Sequence, residues 1–294
     1  MMRGMMRRRV RSGAVATFLL FTGVVPLAAQ SGDMYEISAR RQTAGVRMLV
    51  ADIEYAVGRL KITAAPVGLL YDSKLVYDAT EFEPQRRWSL VDGTGQLALS
   101  LTGLDEDWDL DEFDDADLGS LNLGLSREVP TALSLAVGAA EVEMDLGGVA
   151  LSQFGYRTAA SATRIGFESP NPIRMDRLEL AAGAAEFKAF ELGNARFDFI
   201  EFIGAIGDVH LDFSGDWTES ASGDLRMGLG SLHLTFPRDI GVRIEKKGFL
   251  APFDSAGFEA VDGGFQTPNW DSAESQLTLN IRAAFGSIDV DFLN

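Results

Sequence analysis

The stretch Gly207 to Phe213 reads GDVHLDF and carries one of only two histidines in the chain. In a strand, side chains alternate between faces, which puts Val209, Leu211 and Phe213 on one side and Asp208, His210 and Asp212 on the other. A second stretch, GLGSLHLTF (228 to 236), has the same form. Laid beside the first, it sets His233 opposite His210, Thr235 opposite Asp212 and Ser231 opposite Asp208. On neighbouring strands the two imidazoles would stand about 5 Å apart. His210 and His233 with Asp212 then become candidate ligands for Zn²⁺ or another divalent ion. The plainer expectation is a solvated polar ladder in which Ser and Thr dilute repulsion between aspartates, because no ligand-spacing motif accompanies the pair.

Other candidate chemistry is thinner. The run LDEDWDLDEFDDADLG (104 to 119) holds nine carboxylates between Asp105 and Asp117, but neither Asp105 nor Asp107 starts a register with the glycine and glutamate that an EF-hand loop needs. It reads as a solvated connector. GTGQLA (93 to 98) and GLGSLH (228 to 233) both lack the third glycine of a dinucleotide loop, and there is no G-x-S-x-G, Walker or H-E-x-x-H motif. No cofactor is expected, and the catalytic set is empty. The alternative is a carbohydrate-active β-helix enzyme of lyase or hydrolase type, with Asp208 and Asp212 as its carboxylates.

These residues must be positioned by a repeating element. GAAEVEMDL (138 to 146), GAIGDVHLDF (204 to 213), GLGSLHLTF (228 to 236) and AFGSIDVDF (284 to 292) share a small, glycine-rich start followed by apolar residues at alternate positions. Those apolar sets are Val142/Met144/Leu146, Val209/Leu211/Phe213, Leu232/Leu234/Phe236 and Ile288/Val290/Phe292. Such alternation predicts half-buried strands. Gly183 to Gly204 is 21 residues and Gly207 to Gly230 is 23, a pitch near 22. The expectation is therefore an all-β chain stacked as a right-handed, β-helix-like solenoid of single-stranded coils, with glycine at the corners. An antiparallel sandwich has the same strand content, and the 56-residue step from Gly230 to Gly286 departs from a regular coil.

The start of the chain reads as an export leader. Five arginines precede a 13-residue uncharged run (Gly13 to Val25) that is closed by Pro26 and the small pair Ala28-Ala29, a signal peptide with cleavage expected near Ala29. The other reading is a retained anchor, but a spanning helix wants roughly 20 apolar residues. Loss of those five arginines takes the formal charge from −17 to −22. So acidic a chain is repelled by phosphate backbones, which excludes nucleic acid as a partner. There are no cysteines, hence no disulfides, thiolate chemistry or Cys-based metal sites. The expected organisation is a signal peptide (1–29), an N-terminal β region (30–103), an acidic connector (104–118) and a C-terminal repeat region (119–294).

Taken together, ADIEYAVGRLKITAAPVGLLYDSKLVYDATEFEP (51 to 84), the repeated GAAEVEMDL and GAIGDVHLDFSGDW, MGLGSLHLTFPRDIGVRIEKKG and the closing AAFGSIDV resemble the bacterial toast-rack domains, which include the C-terminal domain of LiaF-type proteins of the cell-envelope stress response. The resemblance implies an all-β stack serving as a non-catalytic scaffold or interaction module at the envelope, in the periplasm or outside the cell. LiaF itself joins such a domain to membrane helices, whereas only a leader is read here, so kinase inhibition does not carry over. Partners would be an envelope protein or a second copy bound through an open coil edge. The strand Ser287 to Phe292 is the expected edge, left open for docking or capped by Ser31 to Ala51 folding back.

Overall fold

The computed structural model describes residues 24–26, 34–104, 119–246 and 256–293. They form sixteen strands: β1 (Val24–Pro26), β2 (Met34–Gln42), β3 (Met48–Ala64), β4 (Leu69–Asp78), β5 (Phe82–Val91), β6 (Thr94–Gly103), β7 (Ser120–Leu125), β8 (Thr131–Asp145), β9 (Leu151–Gly166), β10 (Met175–Phe190), β11 (Phe197–Asp212), β12 (Ala221–Pro237), β13 (Gly241–Lys246), β14 (Glu259–Val261), β15 (Gly264–Gln266) and β16 (Gln276–Leu293). The chain is all-β, with one short 3₁₀ turn at Leu192–Ala195 among the described residues.

The strands hydrogen-bond into one continuous sheet whose centre runs β3-β8-β9-β10-β11-β12-β16, every adjacent pair parallel. Chain neighbours are space neighbours along this run, as Met175 opposite Phe197 and Phe199 opposite Ser222 illustrate. The 56-residue step is no interruption: β12 pairs directly with β16, Gly230 opposite Gly286, while β13, β14 and β15 form an excursion beside β16. At the other end, β3 is flanked by β6 and β7, and through β7 by the antiparallel run β4, β2 and β1. β3 thus bonds to strands on both sides of the acidic segment, whose residues 105–118 lie outside the described residues, as does most of the expected leader.

The long strands are two arms joined at a corner. In β11, beyond the buried Phe197 at its start, Ile200 and Phe202 are buried before the corner and Val209 and Leu211 after it, with Phe213 buried just past the strand, so the inward phase shifts from even to odd positions between Gly204 and Asp208. That shift turns both apolar faces inward, as a bulge does when it re-aims a strand. Phe187 in the second arm of β10 meets Phe202 in the first arm of β11 at 5.2 Å, so the two arms close on one another across the core. Gly230 (φ +131°) and Gly286 (φ +124°) make the same turn on adjacent strands, in a conformation closed to side-chain-bearing residues. Sequence alternation found only the second arm; the first lacked a clean pattern.

Two expectations about the ends need correction. Met34–Gln42 pairs with β4, and Met48–Ala51 sits between β6 and β8, so this segment lies at the β3 end of the sheet and does not cap β16. Phe292, read as core, is half-buried, with Phe258 against it at 5.4 Å. On its outer side β16 pairs with β13 over Gln276–Ile281, and among the described residues no strand pairs with the remainder of that edge.

The connections between neighbouring parallel strands are stapled by asparagines. Asn171, fully buried, donates to the carbonyls of Leu151 (2.8 Å) and Ala195 (3.2 Å) and accepts from the Leu151 amide. Asn194 donates to the Phe167 carbonyl and accepts from the Asp216 amide, both at 2.8 Å. Each amide side chain completes backbone bonds that the turns leave open.

Candidate functional site

Parallel pairing in register assembles the outward row of the second arm. Lys188, His210, His233 and Asp289 stand side by side on β10, β11, β12 and β16. The adjacent row is Glu186, Asp208, Ser231 and Ser287, and the one beyond His210 runs Asp212, Thr235 and Asp291. The strand spacing brings the two imidazoles into a stack, centroids 4.3 Å apart and planes 16° from parallel.

One carboxylate serves both rings. Asp208 Oδ2 lies 3.3 Å from His210 Nε2, and its Oδ1 lies 3.2 Å from His233 Nε2. On the far side, His233 Nδ1 is 3.7 Å from Asp289 Oδ2, which also accepts a 2.8 Å hydrogen bond from Ser287 Oγ. Lys188 is paired with Glu186. Ligand atoms of Asp208, His210 and His233 all fall within 4.8 Å of one another on a half-exposed surface.

Asp212, the carboxylate first grouped with the histidines, is engaged elsewhere: its Oδ1 accepts the Ser214 amide at 2.8 Å, closing the turn that ends β11. Asp208 and Asp289 take the places beside the imidazoles instead. Alternation alone could not choose, since Asp208 and Asp212 are equidistant from His210 along the strand. Asp208 and Asp212 also differ in employment: about 13 Å of strand separates their backbones, Asp208 is turned to the imidazoles and Asp212 to the turn, an arrangement that does not set up the facing carboxyl pair of a glycosidase.

Beside the ladder, the corner carries an apolar ridge. Ile206, Leu229 and Phe285 are paired across β11, β12 and β16 and are 56%, 51% and 54% exposed, with exposed Ile203 nearby. The tryptophans have structural contacts. Trp217 Nε1 donates to the Phe213 carbonyl at 2.7 Å while its ring meets Phe197 edge-on, Arg41 lies 4.0 Å over Trp88, and Arg243 lies 4.4 Å over Trp270. Trp108 lies outside the described residues. Among those residues, no helix is long and apolar enough to cross a membrane.

Among curated proteins, none matches the chain. Among solved structures, it is similar to a "putative cell adhesion protein" from Clostridium sporogenes, at 18% identity over 88% of this chain and 99% of that one, with a TM-score of 0.47. A "putative adhesin" from Bacteroides fragilis follows at 11% identity, 86% and 96% coverage and a TM-score of 0.34. A "putative lipid binding protein" from Parabacteroides distasonis gives 9% identity, 88% and 97% coverage and a TM-score of 0.31. Residues 29–174 match the family described as the N-terminal domain of toast_rack, DUF2154, and that stretch of the chain belongs to the toast-rack family.

Proposed function

We propose that this protein is a non-catalytic interaction module of the cell envelope, exported and processed near Ala29, that binds an envelope protein through the corner of its parallel stack. The observation that carries the reading is the ridge Ile206–Leu229–Phe285, three large apolar side chains kept half-exposed in a row. Isolated exposed apolar residues are ordinary, whereas a contiguous row marks a contact surface. A protein partner is favoured over lipid, because a chain of net charge −17 is repelled by anionic headgroups. In-register parallel pairing from β8 to β12 supports a single-stranded solenoid in the repeat region 119–294, with the N-terminal β region 30–103 closing its first coil. Likeness to LiaF-type domains makes envelope stress the first setting to examine.

The test is photocrosslinking from position 229 in cells. A discrete adduct with another envelope protein, lost when Ile206→Ser and Phe285→Ser are combined, is the expected result. An adduct at twice the chain mass would replace that partner with a second copy. No adduct, with unchanged fractionation of the double variant, would overturn the reading.

A further inference from the structure

We propose that Asp208, His210 and His233 form a binding site for a divalent transition metal of the zinc class, with Asp289 as the group that orients His233. Four observations support it. The first is convergence: both Nε2 atoms face oxygens of a single carboxylate, at 3.3 and 3.2 Å, although they come from different strands. Zn–N and Zn–O bonds of about 2.0–2.1 Å in a tetrahedron set neighbouring ligands about 3.3–3.4 Å apart, the spacing each ring keeps from its own oxygen, and a rotation of the exposed Asp208 carboxylate would bring one oxygen between the two rings.

The second is the outer partner of His233. A metal-bound imidazole usually gives its other N–H to a carboxylate, which fixes the tautomer and aims the lone pair. Asp289 Oδ2, held by Ser287 Oγ at 2.8 Å, stands 3.7 Å from Nδ1, just beyond hydrogen-bond reach, so a small closing movement on metal binding would complete that bond. The third is rigidity. Val209, Leu211, Leu232 and Leu234 on the inward face of the same strands are at most 2% exposed, so the ligands project from a packed scaffold. The fourth is charge: Asp208 and Asp289 supply two carboxylates, and Lys188, the cation opposite His210 on the neighbouring strand, is engaged by Glu186. Two imidazoles and a carboxylate are a donor set suited to zinc, and three protein ligands leave a fourth position open to water.

A plain hydrogen-bonded ladder, in which the imidazoles simply share Asp208, makes different predictions. The mature full-length chain, stripped with chelator, is titrated with ZnCl₂ by calorimetry, and with Co²⁺ to read the visible bands of a tetrahedral site. We expect one equivalent bound per chain. Asp208→Asn and His233→Ala should each weaken binding about tenfold or more, Asp289→Asn should weaken it by a comparable outer-ligand factor, and Asp212→Asn should leave it unchanged. Circular dichroism of each variant confirms folding, and His210→Gln is the milder second variant if His233→Ala fails to fold. Absence of saturable one-to-one uptake, or uptake that survives His210→Ala with His233→Ala, overturns the proposal.

Discussion

Gly286 passes so close to Gly230 that a Cβ on it would lie 1.7 Å from the Gly230 carbonyl oxygen, and a Cβ on Gly230 would lie 1.9 Å from that of Gly207. The corner is therefore a column of backbone on backbone. Gly230→Ala should destabilise the fold by about 2 kcal/mol or more, since positive-φ strain of about 1–3 kcal/mol adds to the clash. Gly263→Ala, also at positive φ but with nothing within 4 Å of the added carbon, should cost less. Urea denaturation of the two variants checks the order; equal costs would mean that the corner can relax.

The two faces of β11 should respond oppositely to truncation. Leu211 is 1% exposed, and Leu211→Ala should cost about 2–5 kcal/mol through lost packing and the cavity left behind. His210→Ala with His233→Ala, on the outward face of the same arm, should shift metal-free stability by about 0.5 kcal/mol or less. Melting curves in chelator separate this from any contribution of bound ion.

Asn171→Ala should be the costliest polar substitution. It removes bonds to Leu151 and Ala195 at once, and each buried group left without a partner costs about 1–3 kcal/mol. Hydrogen exchange should show lost protection at the Ile173 amide, which donates to Asn171 Oδ1, while the Leu151 amide keeps its bond to the Val149 carbonyl.

Alkaline pH should destabilise the core through Tyr156. Burial raises its hydroxyl above the ordinary tyrosine value, although hydrogen bonds with Ser161, Thr163 and Thr158 pull the other way. Above about pH 10 the unfolded chain releases this proton while the folded chain keeps it, so stability falls as pH rises. Tyr156→Phe should flatten the fall in melting temperature across that range, at a neutral-pH cost of about 1 kcal/mol for the 2.8 Å bond to Thr163. An unchanged alkaline slope would assign the effect to other groups.

Export predicts a mature N-terminus near Gln30. Edman sequencing of the protein recovered from the envelope should begin there, and a chain still carrying Met1 in the cytoplasm would remove the assignment of location.

Strand content, acidity, the turn glycines and the inward set Val209, Leu211 and Phe213 follow from the sequence by itself, because a period of two and a glycine-rich start are local properties of the chain. His210 and His233 could be set opposite one another for the same reason: their segments share a form, and form fixes register. The first arm of each strand escaped, since Ile203 and Ile206 are apolar yet point outward and blur the alternation before the corner. Which carboxylate joins the histidines was also beyond local pattern. Asp208 and Asp212 flank His210 symmetrically in sequence, and only the turn at Ser214, which holds Asp212, and the parallel partner strand, which aims His233 Nε2 at Asp208, break that symmetry. Asp289 joins from 56 positions beyond His233 because β12 and β16 pair directly, a choice made by the packing of the sheet and invisible to any single strand.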